Sequence, residues 1–156
     1  MARYRPTKTT IDGIVFASRF ESQLYLLLKK QFFVSQIICQ PKIVLIPKTK
    51  TNLGQIYWKP DFAIDTGKTL FYFEAKGDVT ETFSLKLRIL SDRFPEIFEK
   101  CFFVFHDQSF KSHAIAKTLA KNNLIFLDCS IPQAFDYTSA KYFLGDFISG
   151  NNPKLV

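Results

Sequence analysis

Two apolar, strand-like runs each carry charge where a buried strand should carry none. Trp58-Lys59-Pro60-Asp61-Phe62-Ala63-Ile64 is followed by a turn at Asp65-Thr66-Gly67-Lys68. Leu70-Phe71-Tyr72-Phe73-Glu74-Ala75-Lys76-Gly77 comes next. Runs this rich in aromatic and branched residues, bounded by turn formers, read as strands. Burying a charge without a partner is costly. Asp61, Glu74 and Lys76 must therefore meet one another, face solvent or meet a cation.

Side chains alternate faces along a strand. A hairpin that closes with Ile64 against Thr69 sets Asp61 opposite Tyr72 and Phe62 opposite Phe71. Asp61, Tyr72, Glu74 and Lys76 then share one face, and Trp58, Phe62 and Ile64 the other. Glu74 is the diagonal neighbour of Asp61, at roughly 7–8 Å between backbones. A bulge at Gly67 would shift the pairing by one residue and spoil the apolar match. Two carboxylates and the Ala75 carbonyl are hard oxygen donors of the kind Mg²⁺ prefers, with Mn²⁺ able to substitute. Such a set leaves positions for water and a phosphate oxygen. Lys76 stands where it can orient a water or offset charge on a phosphoryl group.

The bulk numbers narrow the classes. A chain of 156 residues reads as a single domain, 1–156, with residues 1–10 as a basic N-terminal arm. Hydrophobic content of 47% with 18 phenylalanines supplies an ample core. No apolar run approaches the ~18 residues of a membrane span, and Met1 to Pro6 lacks the apolar stretch of a leader. Cys39, Cys101 and Cys129 are scattered, without a Cys-x-x-Cys pair, and read as free thiols in a reducing compartment. These features predict a cytoplasmic protein without a membrane partner. A formal charge of +7 and a pI near 9.3 favour a polyanionic partner, nucleic acid first.

Periodicity predicts a helix from Ser18 to about Gln31, then strands over Ile37–Ile46, Gln55–Ile64 and Thr69–Lys76. The Pro47–Gly54 segment is a polar, basic loop. A second helix is expected from about Thr80 to Phe94, where Phe83, Leu87, Leu90 and Phe94 recur at helical spacing. A strand at Cys101–Phe105, a helix over Ser112–Lys121, a strand at Leu124–Cys129 and a helical tail complete the order. This is an α/β pattern, a mixed central β-sheet flanked by helices.

Pro60-Asp61 followed by Glu74-Ala75-Lys76 resembles the PD-(D/E)xK nuclease signature. Ser18-Arg19-Phe20-Glu21 opening a helix, Trp58-Lys59-Pro60-Asp61-Phe62, Phe73-Glu74-Ala75-Lys76-Gly77 and a following basic helix look more narrowly like phage-type endonuclease I, the Holliday-junction resolvase family. The similarity covers about residues 14–106. It implies a restriction-endonuclease-like core and a Mg²⁺-dependent DNA endonuclease acting on branched DNA. The family's site maps onto Glu21, Asp61, Glu74 and Lys76 as catalytic residues. Asp61, Glu74 and the Ala75 carbonyl would be the metal ligands, with Glu21 as a further candidate. Cutting two strands implies a homodimer or higher homo-oligomer. A gene carried by a phage, plasmid or mobile element in a bacterial cell fits the same resemblance.

Plainer roles compete for several residues. Ser18-x-x-Glu21 is also a capping box, in which the glutamate serves the helix end. His106-Asp107 reads as structural or surface, Asp65 as a turn former and Asp78 as a helix-entry residue. Arg3, Arg5, Lys8, Lys48, Lys50, Lys59, Lys86 and Arg88 are the candidate DNA contacts, with solvated charge as their alternative. A sequence-specific double-strand endonuclease of restriction or homing type is the rival within the class, its basic loop at Pro47–Gly54 reaching a groove. A non-catalytic nucleic-acid-binding module is the rival outside it.

Overall fold

The computed structural model describes residues 7–51, 53–77 and 79–105, together with the backbone of 124–126. A hairpin comes first, β1 (Thr9–Ile11) and β2 (Ile14–Phe16). Asp12 and Gly13 reverse the chain with φ of 53° and 76°, the left-handed pair that a two-residue hairpin turn needs. The expected arm thus ends in a strand. Helix α1 (Arg19–Gln31) follows, with Ser18 as its N-cap. After a single 3₁₀ turn come β3 (Ile37–Cys39) and β4 (Ile43–Ile46), then β5 (Ile56–Trp58), β6 (Phe62–Asp65) and β7 (Leu70–Lys76). Helix α2 (Glu81–Arg93) is capped by Thr80, and a short α3 (Pro95–Phe98) leads into β8 (Cys101–Phe105) and β9 (Leu124–Phe126). The predicted helix over Ser112–Lys121 and the helical tail lie outside the described residues.

The central sheet runs β3-β6-β7-β8-β9. Its first three strands pair antiparallel, and β7-β8 and β8-β9 pair parallel. Helices cover both faces. On one, α1 packs Phe20, Leu24, Leu27 and Leu28 against Phe62, Ile64, Phe73, Phe102 and Val104. On the other, α2 packs Phe83, Leu87 and Leu90 against Ala63, Tyr72, Phe103 and Phe105. The chain is a mixed α/β fold, as the pattern of periods predicts.

Two expected long strands are each broken in the middle. The Ile37–Ile46 run becomes β3 and β4, and the Gln55–Ile64 run becomes β5 and β6. The register shows why. Cys39 pairs with Phe62 and Ile43 with Trp58, so counting on without a skipped residue sets Pro41 against Pro60. Neither proline can donate to a ladder. Gln40, at φ 49°, makes the last bond across the gap, its N–H donating to the Asp61 carbonyl at 2.8 Å. Beyond the break β4 and β5 leave the sheet as a separate ribbon. Leu45 and Trp58 of this ribbon pack on the α2 side. Trp58 therefore does not share a face with Phe62 and Ile64.

The β6-β7 register also corrects the expected one. Phe62 faces Phe73, not Phe71, and Ile64 faces Phe71. The reversal starts one residue later than expected. Asp65 still pairs with Leu70, and its Oδ1 accepts the N–H of Gly67, which sits at φ 77°. The Thr66 N–H donates to the Thr69 carbonyl at 3.1 Å and closes the loop. A slide of two residues preserves every face, so apolar still meets apolar. It also moves Asp61 from the diagonal of Glu74 to the position opposite it.

Phe73 is fully buried, and its ring stacks on Phe102 at 4.8 Å between centroids. Phe73→Ala should cost about 3–5 kcal/mol in urea unfolding. Leu85→Ala, on the exposed side of α2, should stay within about 0.5 kcal/mol of the parent.

Candidate metal centre

Three segments deliver acid to one end of the sheet. Glu74 is the fifth residue of β7 and is 4% exposed. Asp61 sits at the proline break, just before β6. Its Oδ2 accepts the Ala75 N–H at 2.7 Å, which ties the break to the end of β7. Glu21 lies in the first turn of α1 and is also 4% exposed. Its charge acts on Asp61 and on Cys39. Lys76 completes the group, its Nζ 2.5 Å from Glu74 Oε1 and 4.8 Å from the centre of the Phe83 ring.

The electrostatics are unfavourable to charge. Burial raises the Asp61 carboxyl well above its ordinary value, and the neighbouring Glu74 and Glu21 push it further. The Ala75 N–H and Lys76 oppose that rise. Burial also raises Glu74, with Lys76 as the main counterweight. Glu74 Oε2 is buried without a hydrogen-bond partner, and so is Trp58 Nε1. The indole N–H lies near enough to the Glu74 carboxylate to favour its charge, yet closes no hydrogen bond. Buried polar atoms without partners are rare, and each calls for a reason.

The capping reading of Glu21 has a counterpart here. The Glu21 N–H donates to Ser18 Oγ at 3.1 Å, the N-cap bond. In return Glu21 Oε2 accepts from Ala17 N–H at 2.8 Å, one residue outside the usual box. The glutamate secures the helix entry and contributes negative charge to the acid group at once.

Among the described residues no group of three or more His, Cys, Asp or Glu side chains stands at ligand spacing around one point. A set of two carboxylates and the Ala75 carbonyl is a more open one, and its donors fit a hard divalent cation. A cation there would give the spare Glu74 oxygen a partner and favour the charged form of Asp61, which burial disfavours.

The basic candidates divide. Lys59 and Lys86 approach the ring of Tyr57, at 6.0 and 5.5 Å from its centre. Lys8, Lys48, Lys50 and Arg88 are exposed, Lys48 and Lys50 in the loop joining β4 to β5. Arg3, Arg5 and His106-Asp107 lie outside the described residues. Sequence reasoning missed Lys42, 4.6 Å from the Tyr57 ring centre, and the partnerless indole of Trp58. Two lysine–proline neighbourhoods facing each other, Pro41-Lys42 and Lys59-Pro60, were the available signal.

A family model described as a protein of unknown function, DUF1064, matches residues 1–111. The chain belongs to this family. The match spans the hairpin, α1, the broken strands, β7, α2 and β8, so the DUF1064 region contains the whole acid group. No curated protein matches the chain.

A carboxyl raised in the folded chain holds its proton more tightly there than in the unfolded one. Its stabilising contribution is full below the ordinary carboxylate range and fades as pH rises through the raised value. The metal-free chain should therefore lose stability as pH rises toward neutrality. Asp61→Asn, whose amide oxygen still accepts from Ala75, should be more stable than the parent at neutral pH by on the order of 1 kcal/mol. Thermal melts across pH in EDTA check this. Mg²⁺ or Mn²⁺ should raise the melting temperature of the parent and leave the variant unmoved.

Proposed function

We propose that this protein is a divalent-metal-dependent endonuclease that hydrolyses phosphodiester bonds in DNA. The observation that carries the reading is the meeting of half-buried Asp61 with buried Glu74, with a spare carboxylate oxygen and Lys76 beside them. Such carboxylates are expensive unless a cation neutralises them. Asp61, Glu74 and the Ala75 carbonyl would hold the ion, with Glu21 reinforcing the negative potential. A bound Mg²⁺ would supply neutralisation of the phosphate and activation of water.

The chain's own groups account for the rest. The Ala75 N–H fixes the Asp61 carboxylate, and Glu74 with the Phe83 ring holds the Lys76 ammonium in place. Lys76 is partly exposed, so it can meet a phosphate from the solvent side. Its role is to offset charge as the phosphoryl group is attacked. A net charge of +7 suits a DNA partner.

Branched DNA is the substrate favoured by the likeness to endonuclease I, and two cuts ask for a homodimer. The ribbon of β4 and β5, with basic residues at its tip, favours a second reading. A two-stranded ribbon fits a major groove, as a sequence-specific double-strand nuclease would use it. Among the described residues no helix is long and apolar enough to cross a membrane.

Incubation of supercoiled plasmid, random linear duplex and a synthetic four-way junction, each with Mg²⁺ or EDTA, tests the proposal. Cutting should require Mg²⁺. Asp61→Asn and Glu74→Gln should abolish it while DNA binding persists; normal cutting by both variants would overturn the site. Lys76→Ala should lower kcat by about a hundredfold with little change in DNA affinity. Glu21→Gln retains an acceptor for Ala17 but loses the charge, so it should keep its stability and lose activity. A preference for the junction over a duplex of the same sequence supports the branched substrate. One preferred duplex site, with single base changes each costing about 1–3 kcal/mol, supports the second reading.

A further inference from the structure

The outer face of the ribbon collects positive charge around an exposed aromatic ring. Tyr57 is 38% exposed, and the ammonium groups of Lys42, Lys86 and Lys59 lie 4.6, 5.5 and 6.0 Å from its ring centre. These lysines come from three separate segments. Lys42 precedes β4, Lys59 follows β5 and Lys86 is on α2. Continuing the register from Ile43↔Trp58 sets Lys42 directly opposite Lys59. Like charges directly opposed across a ladder are destabilising. None of the three makes an ion pair within the described residues. One ring therefore holds three mutually repelling cations, and an anion would relieve them.

The ring identifies the kind of anion. Phosphates of an intact duplex can be held by lysines alone, because the faces of its bases are closed by stacking. An aromatic ring at the centre gains most where a base face is open, as in an unpaired strand. Lysine stems are flexible enough to lift from the ring onto flanking phosphates. The location is also apt. Lys59 is two residues before Asp61. Trp58, on the opposite side of β5, lies beside Glu74, and α2 supplies both Lys86 and the Phe83 ring under Lys76.

We propose that Tyr57, with Lys42, Lys59 and Lys86, forms a platform for an unpaired nucleic-acid strand. A base stacks on the Tyr57 ring, and the lysines hold the phosphates on either side. This deepens the nuclease reading, because it would recognise the opened nucleotides of branched DNA and lead that strand toward the acid group.

The test measures binding of the full chain in EDTA by fluorescence anisotropy, so no cleavage enters. The probes are a labelled thymidine oligonucleotide, its ribo counterpart and a blunt duplex of similar length. Tyr57→Leu should weaken binding of the oligonucleotide about tenfold and change duplex binding less than about threefold. Tyr57→Phe should retain the parent's affinity. Lys42→Gln, Lys59→Gln and Lys86→Gln should each lower affinity and make the salt slope shallower by about 0.7 on the single strand. Unchanged melting temperatures establish that the variants are folded. Equal losses on both DNA probes, or no loss with Tyr57→Leu, would overturn the platform. A ribo probe bound better than the deoxy one, and equally reduced by Tyr57→Leu, would keep the platform but assign its strand to RNA. Cleavage by Asp61→Asn bears on the nuclease reading alone, so the two can fail separately.

Discussion

Leu70–Lys76 runs through the interior of the sheet, with β6 on one side, β8 on the other and a helix over each face. In the middle of a strand so enclosed, Glu74 is 4% exposed and must find its partners inside. Lys76 meets one of its oxygens, and the other has none. Asp61 is brought opposite by the ladder and tied down by the Ala75 N–H. The acid pair is therefore a product of the same backbone pairing that builds the core. The backbone beneath the pair cannot shift without disturbing strands whose neighbouring residues, Phe73 and Phe62, are fully buried.

Helical elements were the easiest to read. Ser18 and Thr80 each cap a helix within a residue of the expected start, because a hydroxyl before an amphipathic run satisfies a free backbone N–H. The runs of Leu70–Lys76 and Cys101–Phe105 are also close to expectation, since continuous apolar residues suit strands buried on both faces. What escaped was geometry that no period encodes. Pro41 and Pro60 break two strands only because they face each other, and facing is a property of pairing. The hairpin register depended on whether Asp65 belonged to the turn or to the strand, and its carboxylate caps the turn while its backbone stays in the ladder.

The candidate site was legible in its residue types rather than its distances. An acid after proline and a Glu-x-Lys in an apolar run stand out because burial makes them costly. The likeness to the nuclease signature sharpened this into roles. The tie from Asp61 to Ala75, the idle indole of Trp58 and the lysines around Tyr57 each join segments far apart in the chain. Their chemistry was visible in the sequence, but their company was not.

The broken hairpin carries one more consequence, for how the chain tolerates changes of length. The pairs from Ile37↔Ile64 to Val44↔Tyr57 lie on one uninterrupted count, and the slip between Val44 and Ile46 comes only after them. Residues beyond that slip, through the 47–54 loop, can be inserted or deleted while the earlier pairs keep their partners. A single insertion between Trp58 and Asp61 would be different. It would either turn Trp58 outward and Lys59 inward, or pull the Asp61 carboxylate away from Ala75. Variation in length should therefore gather at the ribbon tip, while the few residues around the facing prolines keep a constant spacing.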